Sequence, residues 1–147
     1  MTAAKILAVC VSETTGTVKT PVDSAMLVVE HGIRGDAHAG TGRQVSLLCE
    51  SSVDRMREKG LDAKPGIFAE NLLISGISVA DVRLGQVWTL DSGAVLEISK
   101  IGKECHTGCA IRKLVGDCVM PREGFFARVV KGGEVKPGND LRLTKAQ

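Results

Sequence analysis

The apolar residues of this chain come in short runs of Val, Ile and Leu, and glycine breaks the runs. There are 17 glycines among 147 residues. Runs of this length, bounded by turn formers, suit strands better than helices, which need longer periodic stretches. The expected fold class is mainly β with short α-helices: a closed or half-closed barrel with two short helices packed on it. The length suits one domain, residues 1–147, with a single core. The chain shows no repeat, low-complexity run or internal linker.

The segments KILAVCVS (5–12), MLVVEHGI (26–33), VSLL (45–48) and NLLISGI (71–77) read as strands. QVWTL and AVLEISK flank DSG, and Gly93 can take the positive φ that such a hairpin connection needs. FFARVVKG and DLRLT read as closing strands joined by GGEVKPGN. Ser51 or Ser52 can cap a helix, SVDRMREKG, that stops at Gly60. Val53, Met56 and Leu61 would form its inward face. A second helix is expected from Thr107 to Val115, with Gly116 after it.

Charge and composition exclude some partners. A net charge of +2 gives no electrostatic case for a nucleic acid or a membrane surface. Three Phe, one Trp and no Tyr leave little to stack on bases or sugars. The apolar run Ile6 to Val11 is too short for a signal core, and no stretch reaches the length of a membrane span. The expectation is a soluble, cytoplasmic protein with reduced thiols. Five cysteines cannot all pair within the chain.

Three of those cysteines lie in KECHTGCAIRKLVGDC, residues 103–118. Cys105, His106, Cys109 and Cys118 can be read as four zinc ligands, although zinc knuckles usually separate their cysteines by two residues and here the gap is three. A dithiol redox pair also prefers the shorter spacing. Cys109 and Cys118 equally suit small buried hydrophobes. Cys105 differs from both. It falls just before the expected helix, where unpaired N–H groups and the dipole favour an anion. Lys103, His106, Arg112 and Lys113 add positive charge around it. These factors favour the thiolate, which is the reactive form. Cys10, within an apolar strand, and Cys49, after a buried run, read as core thiols.

Two other stretches carry polar groups in unusual settings. In HGIRGDAHAGTGRQ (31–44), Asp36 and His38 can ligate a metal, and Arg34 and Arg43 can hold an oxyanion. An ordered loop stabilised by its own Asp and His explains it equally well. It has no GK[ST] and so is not a P-loop. In GIFAENLL (66–73), Glu70 and Asn71 stand where a strand enters the core. Buried polar groups need partners. They either bind the amide edge of a ligand such as a pterin or tie down the preceding loop.

In order, GDAHAG…RQVSLL, GIFAENL, RLGQVWTL…AVLEISKIGKEC and GFFARVVKGGEVKPGNDL resemble the MOSC domain, named for the C-terminal part of molybdenum cofactor sulfurases. The match runs from about residue 26 to residue 143. CHTGC with GDCVMPREG looks like the small stand-alone prokaryotic members. The resemblance implies a β-rich barrel with a few helices. It implies that Cys105 carries sulfur as a persulfide or ligates molybdenum, with Lys103 beside it. Arg43, Glu70, Asn71, Asp36 and His38 match motif positions and would serve the molybdenum cofactor, molybdopterin. Implied partners are a cysteine desulfurase or another sulfur donor, and a molybdenum enzyme or cofactor biosynthesis protein. The activity implied is sulfurtransferase-like. Alternatives are a structural zinc module for a molybdenum enzyme and a cofactor-dependent reductase component. The chain lacks the barrel domain of the larger reductases and the desulfurase domain of the sulfurases, so no pyridoxal phosphate is expected.

Overall fold

A computed structural model of the chain describes residues 3–15, 17–102 and 123–146. In chain order the strands are β1 (Ala3–Val11), β2 (Thr20–Val22), β3 (Ala25–Val28), β4 (Gly32–Ile33) and β5 (Val45–Cys49). Helix α1 (Glu50–Glu58) and β6 (Leu72–Ser75) follow, then a 3-10 turn at Val79–Asp81. The chain continues with β7 (Val87–Leu90), β8 (Val95–Ile101), β9 (Phe125–Lys131), β10 (Gly133–Val135) and β11 (Asp140–Lys145).

Seven strands close into a barrel in the order β11-β7-β8-β9-β5-β6-β1, with β11 pairing back onto β1. Closure removes the sheet edges that would otherwise template association. β2 extends the sheet along the far end of β1. The pairs are antiparallel except β5 with β6, which α1 and the loop after it connect. A second, three-stranded sheet, β10-β3-β4, stands beside the barrel.

A bulge in β1 decides which side chains face inward. The pairing with β6 shifts between Ile6 and Ala8. Before it, Ala4 and Ile6 belong to the barrel core; after it, Val9 does. Ala8 and Cys10 then turn to an outer apolar layer with Leu48, Val53, Met56, Phe68, Leu73 and Phe126. An unbroken period of two would have aimed Cys10 into the barrel. β5 is buried on both faces because the same outer layer covers it: Val45, Leu47 and Cys49 face in, and Leu48 faces the outer layer.

α1 covers that outer layer through Val53 and Met56, each at most 2% exposed. Burying each of these side chains contributes about 1.5–3 kcal/mol. Partly buried Leu61 packs against the same layer. The helix starts earlier than the serines suggest. Cys49 is the N-cap residue, with no side-chain hydrogen bond to the helix, and Ser51 and Ser52 lie inside the first turns. Ser52 does not cap because its hydroxyl has a distant partner, the Glu123 carboxylate at 2.8 Å. Glu123 also pairs with Arg55. Gly60 follows the helix at φ +94°, as the expected stop requires.

MLVVEHGI is two strands, not one. Glu30 adopts φ +53°, its N–H donates to the Val129 carbonyl, and His31 N–H returns to Val28. A turn therefore separates β3 from β4. β9 and β11 do not pair with each other; β9 lies between β5 and β8, and β11 between β7 and β1. The GGEVKPGN connection supplies β10, the partner of β3. The expected second helix, 107–115, lies outside the described residues. Among the described residues no helix is long and apolar enough to cross a membrane.

Candidate functional site

Three segments interlock at the end of the barrel where β1 finishes and β5 and β6 begin. They are the described chain after β1 (12–15 and 17–19), the glycine-rich loop (31–44) and the GIFAEN loop (66–71).

Asn71 ties β5 to β1. Its Oδ1 accepts from the Ser46 N–H at 2.9 Å and the Ser46 hydroxyl at 3.1 Å. Its Nδ2 donates to the Cys10 carbonyl at 3.0 Å, and Cys10 N–H donates back to the Asn71 carbonyl at 2.7 Å. Glu70 closes the loop before it. One carboxylate oxygen accepts from Gly66 N–H at 2.9 Å and the other from Phe68 N–H at 3.1 Å. Both side chains are buried. Burial pushes the Glu70 carboxyl up, against the opposing pull of those N–H groups and the Lys19 charge. Just before Glu70 and Asn71, Ala69 sits at φ +65°, a conformation that costs a residue with a Cβ about 1–2 kcal/mol.

Asp36 is held in the glycine-rich loop by a group the sequence did not single out. Lys19 Nζ lies 2.8 Å from Asp36 Oδ1, with the two side chains 1% and 0% exposed. Lys19 also donates to the Ser12 hydroxyl at 2.9 Å. Ser12 N–H donates to Asp36 Oδ1 at 3.0 Å, and His38 N–H to Oδ2 at 3.1 Å. Burial alone would raise the Asp36 carboxyl, but the Lys19 hydrogen bond and charge, with the two N–H donors, hold it below the ordinary carboxylate range. His38 is buried, its Nδ1 3.8 Å from Asp36 Oδ2. A lone lysine in VKTPV has the sequence signature of a surface residue, so Lys19 is legible only in three dimensions.

The Arg43 side chain stands apart from these internal ties. It is half-buried, and its guanidinium carbon lies 5.8 Å from the centroid of the Phe126 ring on the outer barrel face. Its backbone N–H donates to the Thr41 hydroxyl. Arg34 is exposed. Cys10 and Cys49 are fully buried, and burial pushes each thiol up to about 12. The structure thus brings Asp36, His38, Glu70 and Asn71 to one end of the barrel, with Arg43 leaving the same loop. Lys103, Cys105, His106, Cys109 and Cys118 lie outside the described residues. Among the described residues no three His, Cys, Asp or Glu side chains are grouped to hold a metal.

A closed barrel of seven strands, with polar loops locked over one end, defines the class of β-barrel domain to which the sequence comparison then assigns a family. The family model described as MOSC domain matches residues 34–142, and the chain belongs to that family, which is related to the molybdenum cofactor. It is 28% identical over 141 residues to the uncharacterized protein YflK of Bacillus subtilis, covering 88% of this chain and 63% of YflK. Its fold is similar to that of YuaD from Bacillus subtilis, with a TM-score of 0.78 at 20% identity over 95% of this chain and 94% of YuaD. It is also similar to YiiM from Geobacillus stearothermophilus, with a TM-score of 0.77 at 22% identity over 97% of this chain and 75% of YiiM.

The donor set can be tested against an anionic cofactor. Asp36, Glu70 and Asn71 spend hydrogen-bonding atoms on the protein itself. Arg43 fits an anion by charge and by its place on the outer face.

Proposed function

We propose that this chain handles sulfur for molybdenum-cofactor systems, with Cys105 as the residue that carries persulfide sulfur or ligates molybdenum. Family membership supplies the context. The observation that carries the reading is the position of Arg43 over Phe126. Phe126 lies on β9 and pairs with Lys100 of β8, the strand whose sequence continues to Lys103 and Cys105, so Arg43 touches the strand next to that one, and this supports the reading.

The sulfur step balances without an added oxidant. The Cys105 thiolate attacks the outer sulfur of a persulfide on the donor, a cysteine desulfurase or similar protein. The donor's S–S bond breaks and its cysteine leaves as a thiolate. A new S–S bond forms on Cys105; a cysteine thiolate of the acceptor then attacks the same outer sulfur, the Cys105 S–S bond breaks, and Cys105 leaves as a thiolate. Lys103 favours the attacking thiolate. The acceptor is a molybdenum enzyme or a cofactor biosynthesis protein. The molybdenum cofactor, when bound, would supply the metal, with the molybdopterin sulfurs as its ligands, and Arg43 would hold its anionic part. Glu70, Asn71 and Asp36 orient the loops, and His38 stands at the end they form.

The test is incubation with a cysteine desulfurase and cysteine, read by intact mass. Wild type gains one sulfur and Cys105→Ala gains none. No gain in wild type, or equal gain in Cys105→Ala, overturns the reading.

A further inference from the structure

A hydrogen-bonded path runs from Lys19 to Arg43. Lys19 Nζ fixes Asp36 Oδ1 at 2.8 Å. Asp36 Oδ2 accepts from His38 N–H at 3.1 Å. The His38 carbonyl accepts from the Thr41 hydroxyl at 2.6 Å, and that hydroxyl accepts from Arg43 N–H at 3.1 Å. The start of the path is anchored twice more. Lys19 N–H donates to the Gly66 carbonyl at 2.9 Å, and Ala37 N–H to the Ser12 carbonyl at 2.8 Å. A lysine this deeply buried is costly unless its charge and hydrogen bonds are met, and a cheaper apolar side chain could fill the same space. Its retained charge has a geometric consequence: it sets where the Asp36 carboxylate stands, and that carboxylate sets the backbone of the loop that ends at Arg43.

We propose that Lys19 is a positioning residue for Arg43, acting through Asp36, His38 and Thr41. Its bearing on sulfur transfer rests on the function proposed above. The position of the Arg43 backbone does not.

Two variants cut the path in different places. Lys19→Met with Asp36→Asn removes the buried pair together and leaves no unpaired charge. Thr41→Val cuts the path at an exposed side chain and leaves the pair intact. Amide hydrogen exchange by NMR is the first readout. Protection at Arg43 falls about tenfold in both variants, while the Trp88 indole signal inside the barrel is unmoved. Unchanged exchange at Arg43 in either variant overturns the proposal, and Thr41→Val still supplies that outcome if the double variant does not fold.

Sulfur uptake is the second readout, in a cycle with Arg43→Ala. Either variant slows uptake about tenfold when Arg43 is present and adds nothing when it is absent. Additive losses would show that Lys19 acts on something other than Arg43, and would overturn it. If wild type takes up no sulfur, the proposed function fails, and the exchange measurement still decides the role of Lys19.

Discussion

Asn71 accepts two hydrogen bonds from Ser46, one from its N–H and one from its hydroxyl, and so clamps the end of the GIFAEN loop onto β5. The same side chain holds the Cys10 carbonyl of β1. Asn71→Ala leaves the Ser46 N–H and the Cys10 carbonyl buried without these partners. Each such loss costs about 1–3 kcal/mol. For a domain of this size that corresponds to a fall in Tm of roughly 5–15 °C. Calorimetry on the variant checks it; a Tm within a degree or two of wild type would show that water replaces the amide.

Gly66 and Gly138 share a left-handed backbone, at φ +89° and +93°, but not a neighbourhood. A Cβ on Gly66 would lie 2.1 Å from the Lys19 carbonyl oxygen, whereas one on Gly138 meets nothing within 4 Å. Gly138→Ala therefore carries only the conformational cost, about 1–2 kcal/mol. Gly66→Ala adds a backbone clash that must push apart the Lys19 and GIFAEN segments. Urea unfolding separates the two: Gly66→Ala is the more destabilised by at least ~2 kcal/mol. Equal losses would mean that the Lys19 segment yields without cost.

Much of the barrel was legible because its strands are short Val, Ile and Leu runs between turns. VSLL and the QVWTL and AVLEISK hairpin fall where the pattern puts them. The misreadings have long-range causes. Ser52 looks like a cap, but Glu123, far along the chain, takes its hydroxyl. MLVVEHGI reads as one strand until β9 accepts the Glu30 N–H and turns the chain. At the candidate site, Glu70 and Asn71 stood out as buried polar groups wanting partners, and Asp36 as a metal ligand or a tie within its own loop. Their partners did not. Lys19 and Ser46 have no local pattern and gain meaning only from contacts 17 and 25 residues away in sequence.

The thiols Cys10 and Cys49 should be silent in the folded protein. Both are fully buried, and burial holds each up to about 12. The thiolate is the species that reacts. Iodoacetamide at pH 8 should leave both unmodified in the native protein and modify both in urea, as read by peptide mass mapping. Native modification of either would show that the outer layer or the barrel end opens readily.

Glu70 gives the pH dependence its sign above the ordinary carboxylate range. Burial raises its native carboxyl above the ordinary value of 4.5. Between that value and the raised one, the native state binds more protons than the unfolded state. Stability contributed by Glu70 therefore falls as pH rises through this interval. Asp36 acts lower and in the opposite sense. Its native carboxyl lies below the ordinary 3.8, so its contribution is present above that value and is lost as pH falls through the lowered one. Glu70→Gln removes the first effect and leaves the second. It also lacks one acceptor for Gly66 or Phe68 N–H, which costs about 1–3 kcal/mol at neutral pH. Urea unfolding across pH 3–8 should show a wild-type decline above about 4.5 that is absent in Glu70→Gln. The acid limb set by Asp36 should be the same in both. Parallel curves above 4.5 would mean that the two N–H donors outweigh burial and keep Glu70 ionised throughout.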